Sequence, residues 1–408
     1  MEKSNDTIHS TNQALQITPI IAQAIHDGYP FALWRLPSKE EKHIIVQIGT
    51  TTTPQSIDIH QTKEAGFLIS PFINPNLEQS HWIKADLHLQ FNSQETYEDN
   101  INIIRPEYKN WLENALHHNK DLKKSYQHLQ FNTNTALQQC TNNVAKAHYT
   151  QLVKKGIQAI HNQLFQKVVL SRPKPLPIHQ FDAWAFFHRL CQQYPQAFVS
   201  VFYLPKKGFW IGASPEIIVQ QNKNGIFRTV ALAGTQPYQP QIPLQNLSWT
   251  QKEIEEQALV SRYIINSFKK IRLREFDEIG PKTVQAGNLV HLKTLFEVDT
   301  QAVNFPNLSQ TMLHLLHPTS AVCGMPKAES LEFILQNEQY ERQFYSGFLG
   351  PVGIDQEIHL FVNLRSMQWF GNTLELYIGA GITADSVPEK EWNETEIKSQ
   401  TLASLLVF

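Results

Sequence analysis

The chain has 408 residues, 41% apolar and 18% charged, with a formal net charge of −2. This composition excludes a disordered chain, and the near-neutral balance gives no electrostatic basis for nucleic acid or an anionic membrane as partner. The length allows one large domain or two ordinary ones.

The opening stretch MEKSNDTIHSTNQ lacks the apolar segment of a secretion signal, and no run of about 18 apolar residues occurs, so no membrane span is expected. Cys140, Cys191 and Cys323 are odd in number, far apart and without metal-site spacing. They suit a reducing compartment, and a cytoplasmic protein is expected. In the first hundred residues, short apolar runs (Phe31 to Trp34, His43 to Ile48, Gly66 to Ile69) separated by Pro/Asn/Ser turns predict strands and loops. From Pro106 to Gln166 the chain is polar, poor in Gly and Pro, and helical in period, with Trp111, Leu112, Leu116, Leu122, Val144, Leu152 and Ile157 as its apolar positions.

From Phe165 the texture changes. FQKVVLSR, AFVSVFYL, GFWIGASPEIIVQ, FRTVALAGT, HLFVNLRSMQWF and TLELYIGAGI are rich in β-branched and aromatic residues and predict strands. Helices are predicted between them at about 250–269, 309–316, 326–339 and 388–405. The Pro- and Gln-rich piece 235–246 predicts a loop. The result is a mixed α/β chain with hairpin-like neighbours and no strict βαβ alternation.

Several charged residues fall on these elements. Lys167 shares a strand face with Phe165 and Val169, with Arg172 at the strand's end. Such a lysine either snorkels to solvent or, held inside, becomes a usable general base. Glu216 follows a Ser-Pro turn at a strand start, where it either caps the turn or acts as a general acid. In SWTQKEIEEQALVSRYI, Glu253 and Glu256 are three apart, and Glu256 lies on the rim of the stripe Val260–Ile264. Both suit a helix start; they also suit a hard cation. Arg365 lies on an otherwise apolar strand, where a guanidinium meets a carboxylate of protein or ligand. Finally, GAGITADSVPEKEWNETEIKSQ leads a strand through a glycine turn into a helix whose Glu391, Glu394 and Lys398 share one face. A solvated Glu394–Lys398 pair worth about 0.3–0.5 kcal/mol is the plain explanation; the glycines, which let backbone approach whatever the helix faces, point to a site. GAGI lacks the third glycine of a dinucleotide fingerprint, which excludes nucleotide binding.

Taken in order, FQKVVLSR, GASPEIIV, ALAGT, KEIEEQALV, HLKT, LLHPTSAVCGMP, ERQFYSGFLG, VNLRS and GAGITADSVPEKEWNETEIK resemble the chorismate-utilising enzymes over about residues 150–405. That family includes isochorismate, salicylate, anthranilate and aminodeoxychorismate synthases. The resemblance implies one large α/β domain of α+β type, with two stacked, mainly antiparallel sheets flanked by helices and the active site in the cleft between them. Residues 1–150 would be a variable N-terminal portion of the same fold unit, and residues 151–408 the chorismate-binding catalytic region.

The resemblance also implies roles. Glu256 and Glu394 would hold Mg²⁺, with Glu253 and Glu391 behind them or acting through water. Lys398 and Arg365 would bind the carboxylates of chorismate, helped by backbone N–H groups around Gly347 and Gly379 to Gly381. Thr235 and His291 would line the pocket, and His317 opens the HPT motif. A lysine at the position of Lys167 resembles the members that add water rather than ammonia. The expected reaction is therefore isochorismate formation, in which water activated by Lys167 attacks ring carbon 2 while Glu216 protonates the departing 4-hydroxyl. Such an isomerase serves menaquinone or catechol siderophore synthesis and needs no glutamine amidotransferase subunit. Salicylate synthase and a non-catalytic chorismate-binding paralogue are the alternatives. YSGFLG, SAVCG and the loop QPYQPQ depart from the family's common pattern, which bears on pocket shape.

Overall fold

The structure is a computed structural model that describes residues 17–50, 52–62, 64–92, 101–103, 107–117, 142–178, 181–286, 289–370 and 372–406. The MEKSNDTIHSTNQ stretch, Cys140 and the predicted helical positions around Leu122 lie outside the described residues.

Helix α1 (Ile17–His26) is followed by β1 (Phe31–Arg35), β2 (Lys42–Val46), β3 (Gly66–Ser70), β4 (His81–Lys84), β5 (Leu87–Phe91) and β6 (Ile101–Ile103). Next come α2 (Glu107–His117), α3 (Asn142–His161), β7 (Lys167–Pro177), α4 (Ala183–Gln193), β8 (Phe198–Leu204), β9 (Gly208–Ser214), β10 (Ile217–Gln221) and β11 (Ile226–Pro237). Then follow α5 (Gln251–Lys270), β12 (Asp277–Ala286), β13 (Leu289–Asp299), α6 (Leu308–Leu316), β14 (Gly324–Met325) and α7 (Lys327–Asn337). The chain closes with β15 (Phe348–Val352), β16 (Ile358–Val362), β17 (Ser366–Phe370), β18 (Thr373–Ile382) and α8 (Pro388–Ala403).

The predicted helices from residue 250 onward correspond to α5, α6, α7 and α8. Three segments differ from the sequence expectation. Residues 17–26 are a helix, because Ile17, Ile20, Ile21, Ala24 and Ile25 recur at helical spacing and Pro19 falls in the first turn, where its missing N–H costs nothing. Helix α4 was not expected; Asp182 caps it by accepting the Ala185 N–H at 2.9 Å. Residues 277–299 form the β12–β13 hairpin, whose outer strand is mostly exposed and so lacks the apolar signal of a buried strand.

Among the described residues the strands make two sheets, with every pairing antiparallel. The first runs β14-β7-β18-β17-β9-β8-β1-β2-β5-β6, and the second β12-β13-β11-β10-β16-β15-β3-β4. The period-two alternation of side chains sends Phe31 and Leu33 to a core against α1 and α4, and Ala32 and Trp34 to a core between the sheets. There Phe198 of the first sheet stacks on Phe361 of the second, ring centroids 4.1 Å apart. The outer face of the second sheet packs Phe227, Phe296 and Leu360 against Val260, Ile264 and Phe268 of α5 and Met312 and Leu313 of α6. Covering both faces explains why β1, β8, β9 and β16 are buried throughout. No helix among the described residues is long and apolar enough to cross a membrane.

Strands β7 and β18 pair from Val168↔Ile382 to Pro177↔Thr373. Strand β17 accompanies β18 only as far as Tyr377. Beyond that point one edge of β18 has no strand beside it among the described residues, and there the sheet opens toward β11, β13, α5 and α8.

Candidate active site

A cavity lies at this opening. Its walls come from β7 (Lys167, Val169), β18 (Tyr377, Gly379, Gly381), β11 (Gly234, Thr235) and β13 (His291). Glu256 of α5, Glu394 and Lys398 of α8, Glu216 and Arg365 complete the polar lining. Residues that the sequence singled out on seven separate segments thus meet in one place.

Lys167 begins β7 and is 1% exposed, its Nζ 2.8 Å from Glu256 Oε1. Burial opposes ionisation of Glu256, but the Lys167 ammonium, with Lys398 and Lys252 behind it, wins and holds the carboxyl below its ordinary value. Gly381 faces this pair: a Cβ there would stand 2.7 Å from Glu256 Oε1 and 3.1 Å from Lys167 Cε. The glycine is needed for contact between side chains, and it needs no unusual backbone angle.

Glu216 sits between β9 and β10, 4% exposed. Burial pushes its carboxyl up to about 7, against a hydrogen bond from Thr319 and the charges of Lys167 and Arg365. A group half-protonated near neutral pH can give a proton to a leaving oxygen.

His291 Nδ1 lies 2.9 Å from the Gly234 carbonyl, which can only accept, so Nδ1 carries the hydrogen. Nε2 is then a lone-pair acceptor, buried and without a protein partner. Burial, reinforced by the charge of Arg365, drops this imidazole to about 3 and keeps it neutral. Thr235 Oγ1 is 3.3 Å from the same ring.

Helix α8 is fastened to β7 by Arg172, which bonds Glu396 and Thr395 (2.9 Å) and stacks 3.9 Å over Trp392. Lys174 adds a 2.7 Å bond to Glu396. This anchorage places Glu394 and Lys398 in the cavity, 2.7 Å from each other, with Lys398 Nζ also 3.1 Å from the Gly379 carbonyl. Arg172 is therefore a mid-strand anchor and not the end of the strand, which runs on to Pro177.

Other expectations need correction. Arg365 is not within a strand: it lies in the link between β16 and β17 with φ +49°, a left-handed conformation uncommon for a non-glycine residue. That link turns its guanidinium into the cavity wall, where Nη1 reaches Thr401 at 3.3 Å. Gly347 does not line the cavity. Its N–H goes to the Phe344 carbonyl at 3.1 Å, and a Cβ would stand 2.0 Å from the Ser70 carbonyl, so close backbone packing explains it. Glu253 is also outside the lining; it caps α5 by accepting the Thr250 N–H at 2.8 Å. Glu391 is buried behind the lining, paired with Lys252 at 2.8 Å, its Oε2 without a partner. His317 donates to the Pro71 carbonyl at 3.1 Å and packs edge-on against Phe348, a structural role.

Tyr345, Tyr377 and Thr319 were not singled out as site residues. Tyr345 and Tyr377 stack at 5.6 Å and form one wall. Tyr345 and Thr319 lie inside motifs already noted, but an aromatic or hydroxyl within an apolar run carries no sequence signal that separates wall from core.

Among the described residues no three His, Cys, Asp or Glu side chains could hold a metal by themselves. Glu256 and Glu394 offer two carboxylates to the cavity, while Glu391 stays behind the lining. That all-oxygen set fits Mg²⁺, which is held by one or two carboxylates while water and substrate fill its remaining positions.

The family described as chorismate binding enzyme matches residues 65–407. Isochorismate synthase MenF of Escherichia coli (strain K12) is 28% identical over 272 residues, 64% of this chain and 60% of that protein. Isochorismate synthase EntC of the same organism is 27% identical over 267 residues, 63% of this chain and 66% of that one. The match thus spans less than two thirds of either relative. Anthranilate synthase component 1 of Bacillus pumilus is 25% identical over 326 residues, 77% of this chain and 62% of that protein. The solved structure of MenF, the menaquinone-specific isochorismate synthase from Escherichia coli, has the same fold. It has a TM-score of 0.73 at 24% identity and covers 97% of this chain and 92% of that one.

Proposed function

This chain belongs to the chorismate-binding enzyme family, and from that premise we propose that it is an isochorismate synthase, an isomerase converting chorismate to isochorismate. The observation that carries the reading is that Lys167 at the start of β7 and Glu216 in the link between β9 and β10, a buried amine and a buried carboxyl lifted to about 7, line one cavity. Water adds to ring carbon 2 while the 4-hydroxyl leaves and the ring double bond shifts. Lys167 takes the proton from water, and Glu216 gives one to the departing oxygen. Lys167 can do so only as the free amine, whose lone pair takes the proton while an N–H can still reach Glu256.

Arg365 and Lys398 supply the positive charge for the substrate's carboxylates, and the unpaired edge of β18 at Gly379 and Gly381 offers backbone groups beside them. The acceptor Nε2 of His291 suits a substrate hydroxyl, with Thr235 beside the ring. Glu256 and Glu394 would hold Mg²⁺, with Glu391 and Lys252 bracing them; when bound, the ion neutralises charge on a substrate carboxylate. Similarity to MenF and EntC, both isochorismate synthases, supports water rather than ammonia as nucleophile, and no amidotransferase subunit is needed.

We also infer that residues 1–150 are part of the same fold unit as residues 151–408. Pairing of β1 with β8 and of β3 with β15 supports this, because it threads N-terminal strands into both sheets.

The test is product analysis. Purified protein with chorismate and Mg²⁺ near neutral pH gives isochorismate on chromatography, with no stoichiometric pyruvate in a lactate dehydrogenase assay. Pyruvate at the rate of chorismate loss, with salicylate fluorescence, would make it a salicylate synthase; no turnover would leave a binding protein.

A further inference from the structure

We propose that Thr319 is a positioning residue that fixes the acidic proton of Glu216 on the oxygen facing the substrate; this rests on the reading of Glu216 as general acid. Thr319 Oγ1 donates to Glu216 Oε1 at 3.3 Å. A protonated carboxyl has one O–H and one carbonyl oxygen. If Oε1 is the acceptor, the proton resides on Oε2. If the hydroxyl instead accepted from Glu216, the proton would be spent on the protein and not offered to the leaving group.

The link that carries Thr319, between α6 and β14, is pinned from several sides. Lys327 Nζ donates to the His317 carbonyl at 2.8 Å and the Leu315 carbonyl at 3.2 Å. His317 is tied to Pro71, and Arg342 Nη1 donates to the Val322 carbonyl at 2.9 Å. The Thr319 carbonyl itself accepts the N–H groups of Val322 and Cys323 at 3.1 and 2.9 Å. Glu216 is held as firmly: its carbonyl accepts the Val362 N–H at 2.9 Å and its N–H lies 3.3 Å from Ser214 Oγ. With both backbones fixed, the Thr319 hydroxyl decides the orientation of the carboxyl. The charged groups facing Glu216 are Lys167 from β7 and Arg365 from the β16–β17 link. Both act on either carboxyl oxygen through charge, whereas the hydrogen bond distinguishes them.

Thr319→Val keeps the shape and removes the donor. The expected result is a fall in kcat of about 10-fold, the size of one hydrogen bond to a charged or ionisable group, with KM changed less than about 2-fold. The alkaline limb of the kcat profile moves to higher pH, because the carboxylate has lost a donor that stabilised it. Thr319→Ser restores both. If Thr319→Val does not fold, Thr319→Cys, close in shape and a weak donor, carries the same expectation. An unmoved limb and unchanged kcat would overturn the proposal. A raised KM at constant kcat would do so too, making Thr319 a substrate contact, as would a serine variant as impaired as the valine one. A second readout is independent of product: the infrared carbonyl band of protonated Glu216, identified by its loss in Glu216→Gln, shifts in Thr319→Val. If chorismate is not converted, the functional reading fails while the band still decides the role of Thr319, and an unshifted band overturns it.

Discussion

Lys167 Nζ lies 2.8 Å from Glu256 Oε1 directly opposite Gly381, so β7, α5 and β18 meet at one point. An alanine at 381 puts a Cβ 2.7 Å from that oxygen, closer than real Cβ contacts, and the flexible carboxylate must give way. Gly381→Ala is therefore expected to keep the fold, since no left-handed backbone is required there, while losing at least about 10-fold in kcat through a displaced catalytic pair. Thermal melts and steady-state kinetics measure the two effects separately. Wild-type kinetics in this variant would remove the pair from the machinery.

Lys167→Ala and Glu216→Gln should each lower kcat by about 10²–10⁴, with smaller changes in ligand affinity. Single-turnover kinetics with chorismate, alongside equilibrium binding, distinguish lost chemistry from lost binding. A Lys167→Ala enzyme with near-normal kcat would mean that another group activates water.

Chelation should abolish turnover, and added Mg²⁺ should restore it. Glu394→Gln and Glu256→Gln should each weaken Mg²⁺ binding in calorimetry at least about 10-fold while leaving the fold intact. Full activity in excess chelator would exclude both glutamates as ligands.

Much of this was legible in the sequence, and for a physical reason. Lys167, Glu216, Glu256 and Glu394 are charged residues next to apolar stripes, and such placement is costly without a partner or a task. Their convergence could not be read from spacing, because it depends on β18 pairing with β7 although residues 178–372 lie between them. Glu253 and Glu391 show the limit of counting carboxylates: each precedes a cavity glutamate by one helical turn, yet one closes a capping box and the other neutralises Lys252. Gly347 and Gly381 make the same point, since a glycine marks close approach without saying what approaches. Helix α1 falls in a region expected to hold strands and loops, and the helical spacing of Ile17, Ile20, Ile21 and Ile25 is what marks it as a helix.

The last prediction concerns stability and pH. The carboxyl of Glu216 rises from an ordinary value of 4.5 to about 7, burial outweighing Thr319, Lys167 and Arg365. The folded state therefore holds this proton more tightly than the unfolded chain does. Below pH 4.5 both states are protonated and burial of the neutral acid costs nothing extra. As pH rises from 4.5 through 7 the unfolded state ionises first, so stability falls, and the loss levels off above the folded value. The full penalty is on the order of 3 kcal/mol for a shift of this size. Gln cannot ionise, so Glu216→Gln escapes the penalty. Its stability relative to wild type, from denaturant titrations at pH 5, 6, 7 and 8, should grow across that series by about 2–3 kcal/mol and then flatten. A difference that stayed constant with pH would show that Glu216 ionises as an ordinary solvent-exposed glutamate, and it would then have no proton to give at neutral pH.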